Sequence, residues 1–182
     1  MKRFITLTLM LLFIASSVSA FDGMRRGFVI GGGIGFSADS KWSTKVLGFN
    51  IEESGSGSAG NFLIGYGWDE YNMIVADANV AIYKTSLFEP EDITQGFSGV
   101  AWYRYFGEKG SAFFTALGLG QYVFEVSNLG SNVEGLGFLL GAGYEFSPHF
   151  QAAFYFNSGQ TKDGGFDFEH TSLNIIVSGV AF

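Results

Sequence analysis

The sequence predicts an all-β chain, an eight-stranded antiparallel up-and-down transmembrane β-barrel, and three observations predict it. The composition combines 27 Gly with 21 Phe, 8 Tyr and 3 Trp while only 15% of residues are charged. Turn glycines and interfacial aromatic girdles account for that balance, and a water-covered surface does not. The second observation is the stretch from Gly135 to Phe156, where two apolar runs flank Ser147-Pro148-His149. Pro148 presets φ for a tight reversal. The third is an even number of similar strand candidates whose connectors alternate between short and long.

Folding 135 to 156 on its turn sets Phe146 against Phe150, Tyr144 against Ala152, Ala142 against Phe154 and Leu140 against Phe156. The opposite face pairs Glu145 with Gln151, Gly143 with Ala153, Gly141 with Tyr155 and Leu139 with Asn157. One face is therefore uncharged and aromatic, the other small or polar. A soluble sheet carries Lys, Glu and Thr on its wet face. Lipid outside and a tight polar lumen inside fit this pattern. Tyr155 over Gly141 is expected to shield the glycine backbone. A helix over this stretch would have to absorb Gly135, Gly137, Gly141 and Gly143, at about 1 kcal/mol each relative to Ala.

Taken from the start, Lys2 and Arg3 precede an uncharged run from Phe4 to Ala15, and Val18-Ser19-Ala20 offers small residues for signal peptidase. Residues 1 to 20 read as a secretory signal peptide, with the mature barrel domain at 21 to 182. The run is too short to span a membrane as a helix, which takes roughly 20 apolar residues. No later segment approaches that length without Gly or charge. The absence of Cys excludes a lipidated N-terminus and a disulfide framework. Without Lys2 and Arg3 the chain holds eight basic against seventeen acidic residues, a net charge of −9. Such a chain is no nucleic-acid binder.

The strand candidates are 27 to 37, 59 to 68, 73 to 84, 96 to 106, 111 to 126, 135 to 146, 150 to 160 and 170 to 182. Each supplies the roughly 9 to 11 residues a tilted strand needs to cross the hydrocarbon. Asp69 to Asn72, Gly107 to Gly110 and Ser147 to His149 are tight turns; 38 to 58, 85 to 95, 127 to 134 and 161 to 169 are longer loops. That asymmetry makes the short side periplasmic and the long side extracellular. The first loop holds Glu52-Glu53-Ser54-Gly55-Ser56-Gly57-Ser58, a composition that predicts a mobile tip.

Polar residues within strands are the candidate lumen groups: Asp77, Asn79, Arg104, Glu145 and Gln151. In the third strand, Asp77 and Asn79 inside send Ile74, Ala76, Ala78, Val80 and Ile82 to lipid. For 96 to 106 and 111 to 126 two assignments stand. Arg104 inside takes Trp102, Val100 and Ser98 with it and crowds the lumen; Arg104 outside snorkels at the periplasmic rim. Eight strands leave an interior just wide enough for side chains, so these charges read as structural ion pairs or rim residues rather than as a gated path.

At the far end, Leu173 to Phe182 is a weakly polar run in which Phe182, Val180, Ser178 and Ile176 alternate. Together with the signal peptide, Tyr103-Arg104-Tyr105-Phe106-Gly107, Ala116-Leu117-Gly118-Leu119-Gly120 and Gly141-Ala142-Gly143-Tyr144-Glu145-Phe146-Ser147-Pro148, it resembles the small eight-stranded outer-membrane barrels of OmpA and OmpX type. The resemblance covers the whole mature chain and speaks to architecture rather than activity. It implies a bacterial outer-membrane location, contact with lipid and lipopolysaccharide, and Phe182 as a signal read by the barrel-assembly machinery. An extracellular partner of the loops is not named by it.

Catalytic and metal patterns are weak by comparison. His170-Thr171-Ser172 has the His and Ser, two apart on one strand, of outer-membrane lipid A deacylases. No acid follows Ser172 in the final strand, and Glu169 points to the opposite face. Two His and no Cys give no zinc spacing. The acidic groups Glu89, Glu91, Asp92 and Asp163, Asp167, Glu169 match no calcium loop. Gly31-Gly32-Gly33-Ile34-Gly35 has neither the final glycine nor the helix of a nucleotide fingerprint. The reading is therefore a non-enzymatic outer-membrane barrel without cofactor, in a structural or surface-interaction role. A narrow small-solute channel is one alternative. A secreted lipocalin-like barrel, with an apolar lumen and polar exterior, is the other.

Overall fold

A computed structural model describes residues 24–46, 49–84, 92–126 and 131–182. The expected signal peptide and the tips at 85–91 and 127–130 lie outside the described residues. Eight strands follow in order: β1 (Gly27–Val46), β2 (Phe49–Gly67), β3 (Asn72–Lys84), β4 (Asp92–Glu108), β5 (Ser111–Val126), β6 (Ser131–Ser147), β7 (Phe150–Asp163) and β8 (Phe166–Ala181). Each pairs antiparallel with its neighbour, and β1 pairs with β8, so the sheet closes on itself. Closure leaves no sheet edge, and every strand finds its hydrogen bonds within the barrel.

The β6–β7 register matches the expected pairs from Leu139↔Asn157 to Glu145↔Gln151. Phe150, however, pairs with Ser147 rather than Phe146, because a bulge follows Glu145. The turn then places His149 at φ 72°, a conformation uncommon outside Gly. Its ring accounts for the tolerance: Nδ1 lies 3.0 Å from Val180 O and the ring packs 5.1 Å from that of Phe182. The Val180 amide also donates to His149 O at 2.8 Å. This turn is thereby tied to the end of β8.

The expected long loops are mostly strand. From 38 to 58 the chain continues as β1 and β2, paired from Ser40↔Gly55 to Val46↔Phe49. The glycine–serine stretch serves close approach instead of mobility: a Cβ at Gly55 would lie 2.6 Å from Tyr83 Cδ2, and one at Gly57 would strike the Ile82 carbonyl. Likewise β4 begins at Asp92 and β6 at Ser131. The 161 to 169 loop is a hairpin turning at Gly164 and Gly165, whose φ of 55° and 86° suit a two-residue primed turn.

Inside the barrel, glycines make room for rings on neighbouring strands. A Cβ at Gly141 would sit 2.8 Å from Tyr155 Cδ1, and one at Gly143 would sit 2.5 Å from Phe114 Cζ. Gly159 is tighter, its Cβ position falling against Tyr122 Cβ and Cγ. Gly159→Ala is expected to destabilise the barrel by about 1–3 kcal/mol through overpacking. Gly179→Ala, with no atom nearer than 3.9 Å to its Cβ position, serves as the silent control. Equal urea midpoints for the two variants would contradict this packing.

Candidate functional site

The interior is the candidate site, because strand alternation delivers every second side chain to it. Of the sequence-predicted residues, Asp77, Asn79, Glu145 and Gln151 are buried in the lumen. Arg104 is not among them. β4 turns Ala101, Tyr103 and Tyr105 inward and Trp102 and Arg104 outward. Outside, Arg104 Nη1 donates to Asn72 Oδ1 at 3.0 Å and its guanidinium lies 5.9 Å from the Tyr71 ring and 5.8 Å from that of Phe106. This assignment avoids burying Trp102 and gives the lumen two tyrosines whose hydroxyls find partners.

The turn-proximal end is closed by Arg25, which sequence reasoning missed. It precedes β1, yet its side chain is 1% exposed. Nε donates to Glu145 Oε2 at 3.0 Å, Nη1 to Glu70 O at 2.9 Å and Nη2 to Glu108 O at 3.3 Å. The guanidinium also stacks 4.2 Å from the centre of the Tyr105 ring. Glu145 Oε1 accepts from the Gly110 amide. One cation thus ties together the segment before β1, two turns and β6. The adjacent pair Arg25-Arg26 ahead of the first apolar strand was the only hint in the sequence. Asp69, in the first turn, accepts from Tyr71 N at 2.7 Å and from Asn72 Nδ2 at 2.9 and 2.7 Å. Desolvation raises its carboxyl pKa, but these hydrogen bonds and the Arg104 charge outweigh it and hold the pKa below the ordinary value.

Above this plug, Tyr105 donates to Gln151 Oε1 at 2.8 Å and Tyr103 donates to Asp77 Oδ2 at 2.6 Å. Phe114 packs between the two rings, at 5.8 Å from Tyr103 and 5.2 Å from Tyr105. A layer of amides follows. Asn157 and Asn174 both donate to Asn79 Oδ1, at 2.9 and 2.8 Å. Toward the far end His170 Nε2 lies 2.8 Å from Thr161 Oγ1, and its ring stacks on Tyr122 with Phe124 at 4.7 Å. Trp42 bridges Phe124 and Phe168 at 6.3 and 6.2 Å. Among the described residues, side chains thus occupy successive levels of the lumen.

His170 and Ser172 both point into this packed interior, at 1% and 2% exposure, while Glu169 is exposed outside. The pair is turned away from the outer face, where a lipid substrate would lie. Among the described residues no three His, Cys, Asp or Glu side chains gather as a metal centre.

The outer face is apolar, whereas the interior mixes polar and apolar side chains. Among the described residues thirty large hydrophobic side chains are exposed, whereas eighteen polar or charged residues are buried. A continuous apolar belt of this extent has no place in water, where exposed patches reach a few hundred Å². Phe28, Tyr66, Trp68, Phe113, Phe146 and Phe150 ring the end that carries the short turns, as interfacial aromatics do. No helix among the described residues is long and apolar enough to cross a membrane. The exterior is opposite in polarity to that of a lipocalin-like barrel.

Fold and site together define an eight-stranded membrane-spanning β-barrel with a side-chain-filled lumen. No family model and no curated protein sequence matches the chain. Among solved structures it is similar to Neisserial surface protein A, with 15% identity over 85% of this chain and 96% of that one and a TM-score of 0.53. It also matches Ail, the attachment invasion locus protein of Yersinia pestis, at 14% identity over 84% and 99% with a TM-score of 0.49. The outer membrane protein OprG from Pseudomonas aeruginosa matches at 15% identity over 89% and 99% with a TM-score of 0.47. The first likeness shows the fold alone.

Proposed function

We propose that the chain is an integral bacterial outer-membrane protein, exported by its N-terminal segment, whose work is done at the outer rim in a structural or surface-interaction role. The filled lumen carries this reading, since it leaves no bore for solute and turns attention to the strands that outrun the membrane. β1 and β2 span 20 and 19 residues, about twice what a tilted crossing takes. Their outer halves form a paired ribbon braced by the Lys41–Glu52 ion pair. Phe49 and Ile51 on this ribbon and Phe166 on the β7–β8 hairpin remain exposed there. Rigid ribbons tipped with apolar groups suit contact with another surface better than mobile polar loops do. Lipid and lipopolysaccharide surround the belt in this reading, and Phe182 is the mark for the assembly machinery.

The absence of native Cys makes a labelling test clean. Lys45→Cys is expected to react with a membrane-impermeant maleimide on intact cells, and Lys109→Cys only after permeabilisation. Unheated outer-membrane samples should also migrate differently from boiled ones on an SDS gel. Recovery in the soluble periplasmic fraction, or labelling of Lys109→Cys on intact cells, would overturn the proposal.

A further inference from the structure

Arg104 is a cation on the outer face of the barrel, one register row in from the aromatic rim. Its row runs Asn72, Arg104, Thr115, Ala142 across β3 to β6. The row on the rim side is Phe106, Phe113, Tyr144, and the row toward the membrane centre is Ile74, Trp102, Leu117, Leu140. Successive rows on one face lie about 6–7 Å apart along the strands. Thr115 and Ala142 are short, so the surface beside Arg104 is recessed between two rows of long side chains.

The inner row opens into a groove of about 590 Å³ on the outer face, walled by Ile74, Trp102, Leu117, Leu119, Phe138 and Leu140. Groove and cation are built as one unit. Trp102 Nε1 and Arg104 Nη1 both donate to Asn72 Oδ1, at 3.2 and 3.0 Å, so a single amide fixes the ring at the head of the groove and the guanidinium next to it. That amide is neutral, and Arg104 takes no part in the ion pairs Arg25–Glu145, Lys41–Glu52 and Lys162–Asp167. Asp69, the acid whose charge acts on Arg104, already accepts from Tyr71 N and Asn72 Nδ2. A guanidinium presents five donors in a planar fork that matches a phosphate.

We propose that Arg104 and this groove bind one anionic glycerophospholipid of the inner leaflet, with its phosphate on the guanidinium beside Thr115 and an acyl chain along Trp102, Leu117 and Leu140. Charge and shape select the occupant together: the groove takes a hydrocarbon chain, and the cation one row away takes a phosphate. A zwitterionic headgroup satisfies the cation less well, because its own ammonium competes for the phosphate. The inference rests on the outer-membrane reading above and adds a lipid class that this face prefers.

Trp102 supplies the probe. The full mature chain with Trp42→Phe and Trp68→Phe is folded into phosphatidylcholine vesicles holding a low mole fraction of brominated phosphatidylglycerol or brominated phosphatidylcholine, whose acyl bromines quench a tryptophan they touch. The quenching is expected to show an affinity about fivefold higher for the anionic lipid, the worth of one Arg at an anionic lipid surface. Arg104→Gln should remove the preference, Arg104→Lys should keep part of it, and Arg26→Gln, at an exposed cation ahead of β1, should leave it intact. A companion chain carrying Trp102→Phe and Phe154→Trp reports the belt three strands away and should be quenched equally by both lipids. Equal quenching of Trp102 by the two lipids, with the companion chain also quenched, would overturn the inference and leave the membrane barrel standing. A companion chain quenched by neither lipid would overturn the membrane reading and this inference with it.

Discussion

Arg25→Ala is expected to lower the stability of the folded barrel by about 3–5 kcal/mol, the cost of breaking a buried ion pair from one side. Glu145 would remain buried with only the Gly110 amide as a partner. The Glu70 and Glu108 carbonyls and the Tyr105 ring face would lose their donor at the same time. The measurement is urea unfolding in lipid or detergent, followed by tryptophan fluorescence. A double variant with Glu145→Gln should recover part of the loss, because it removes the stranded charge. Arg25→Lys should fall between, since a point-charge ammonium cannot reproduce a planar fork that serves three acceptors. A loss under about 1 kcal/mol, the usual worth of an exposed pair, would show that the plug is dispensable.

Leu119→Arg is the second large effect, and it separates a membrane barrel from any soluble one. Leu119 is 72% exposed on the outer face and pairs with Val100 and Phe138, which are exposed beside it. In water such a substitution would be neutral or would improve solubility. Facing hydrocarbon near the midplane it costs about 2–4 kcal/mol, whereas Phe113→Arg at the aromatic rim costs about 0–1. Folding titrations into phospholipid vesicles read both numbers. Equal effects at the two depths would place no hydrocarbon around β5.

The Arg25 result would also bear on conduction. The channel reading predicts current steps that change when Asp77 or Glu145 is neutralised. With Arg25, Tyr105, Phe114 and the Tyr122–His170 stack filling successive levels, the expectation is a silent bilayer with verified insertion.

The hairpin at 135 to 156 was legible because strand alternation is local. Its seven registered pairs from Leu139↔Asn157 to Glu145↔Gln151 need no knowledge of the rest of the chain. The same holds for Asp77 and Asn79 facing inward, since Ile74 to Ile82 alternate cleanly around them. β4 was different. Trp102 and Arg104 share one face, and Tyr103 and Tyr105 the other, so each choice buries something polar or large. The deciding partners, Gln151 and Asp77, come from other strands.

Loop lengths failed for a related reason. Ser54 to Ser58 has the composition of a flexible tip, yet small residues are also what lets a backbone pass close beside Tyr83 and Ile82. Composition cannot distinguish the two uses without the neighbouring strand in place.

By itself, then, the sequence determined the number and order of strands and the outward face of the clearest hairpin. These follow from period-two patterning and turn chemistry, which act over a few residues. Tertiary structure alone decided that Arg25 seals the lumen through Glu145, 120 residues away, that the outer ribbon is paired, and that Asn157 of β7 and Asn174 of β8 both meet Asn79 of β3. Those contacts exist only after the barrel closes, because closure brings strands distant in sequence across a lumen one side chain deep.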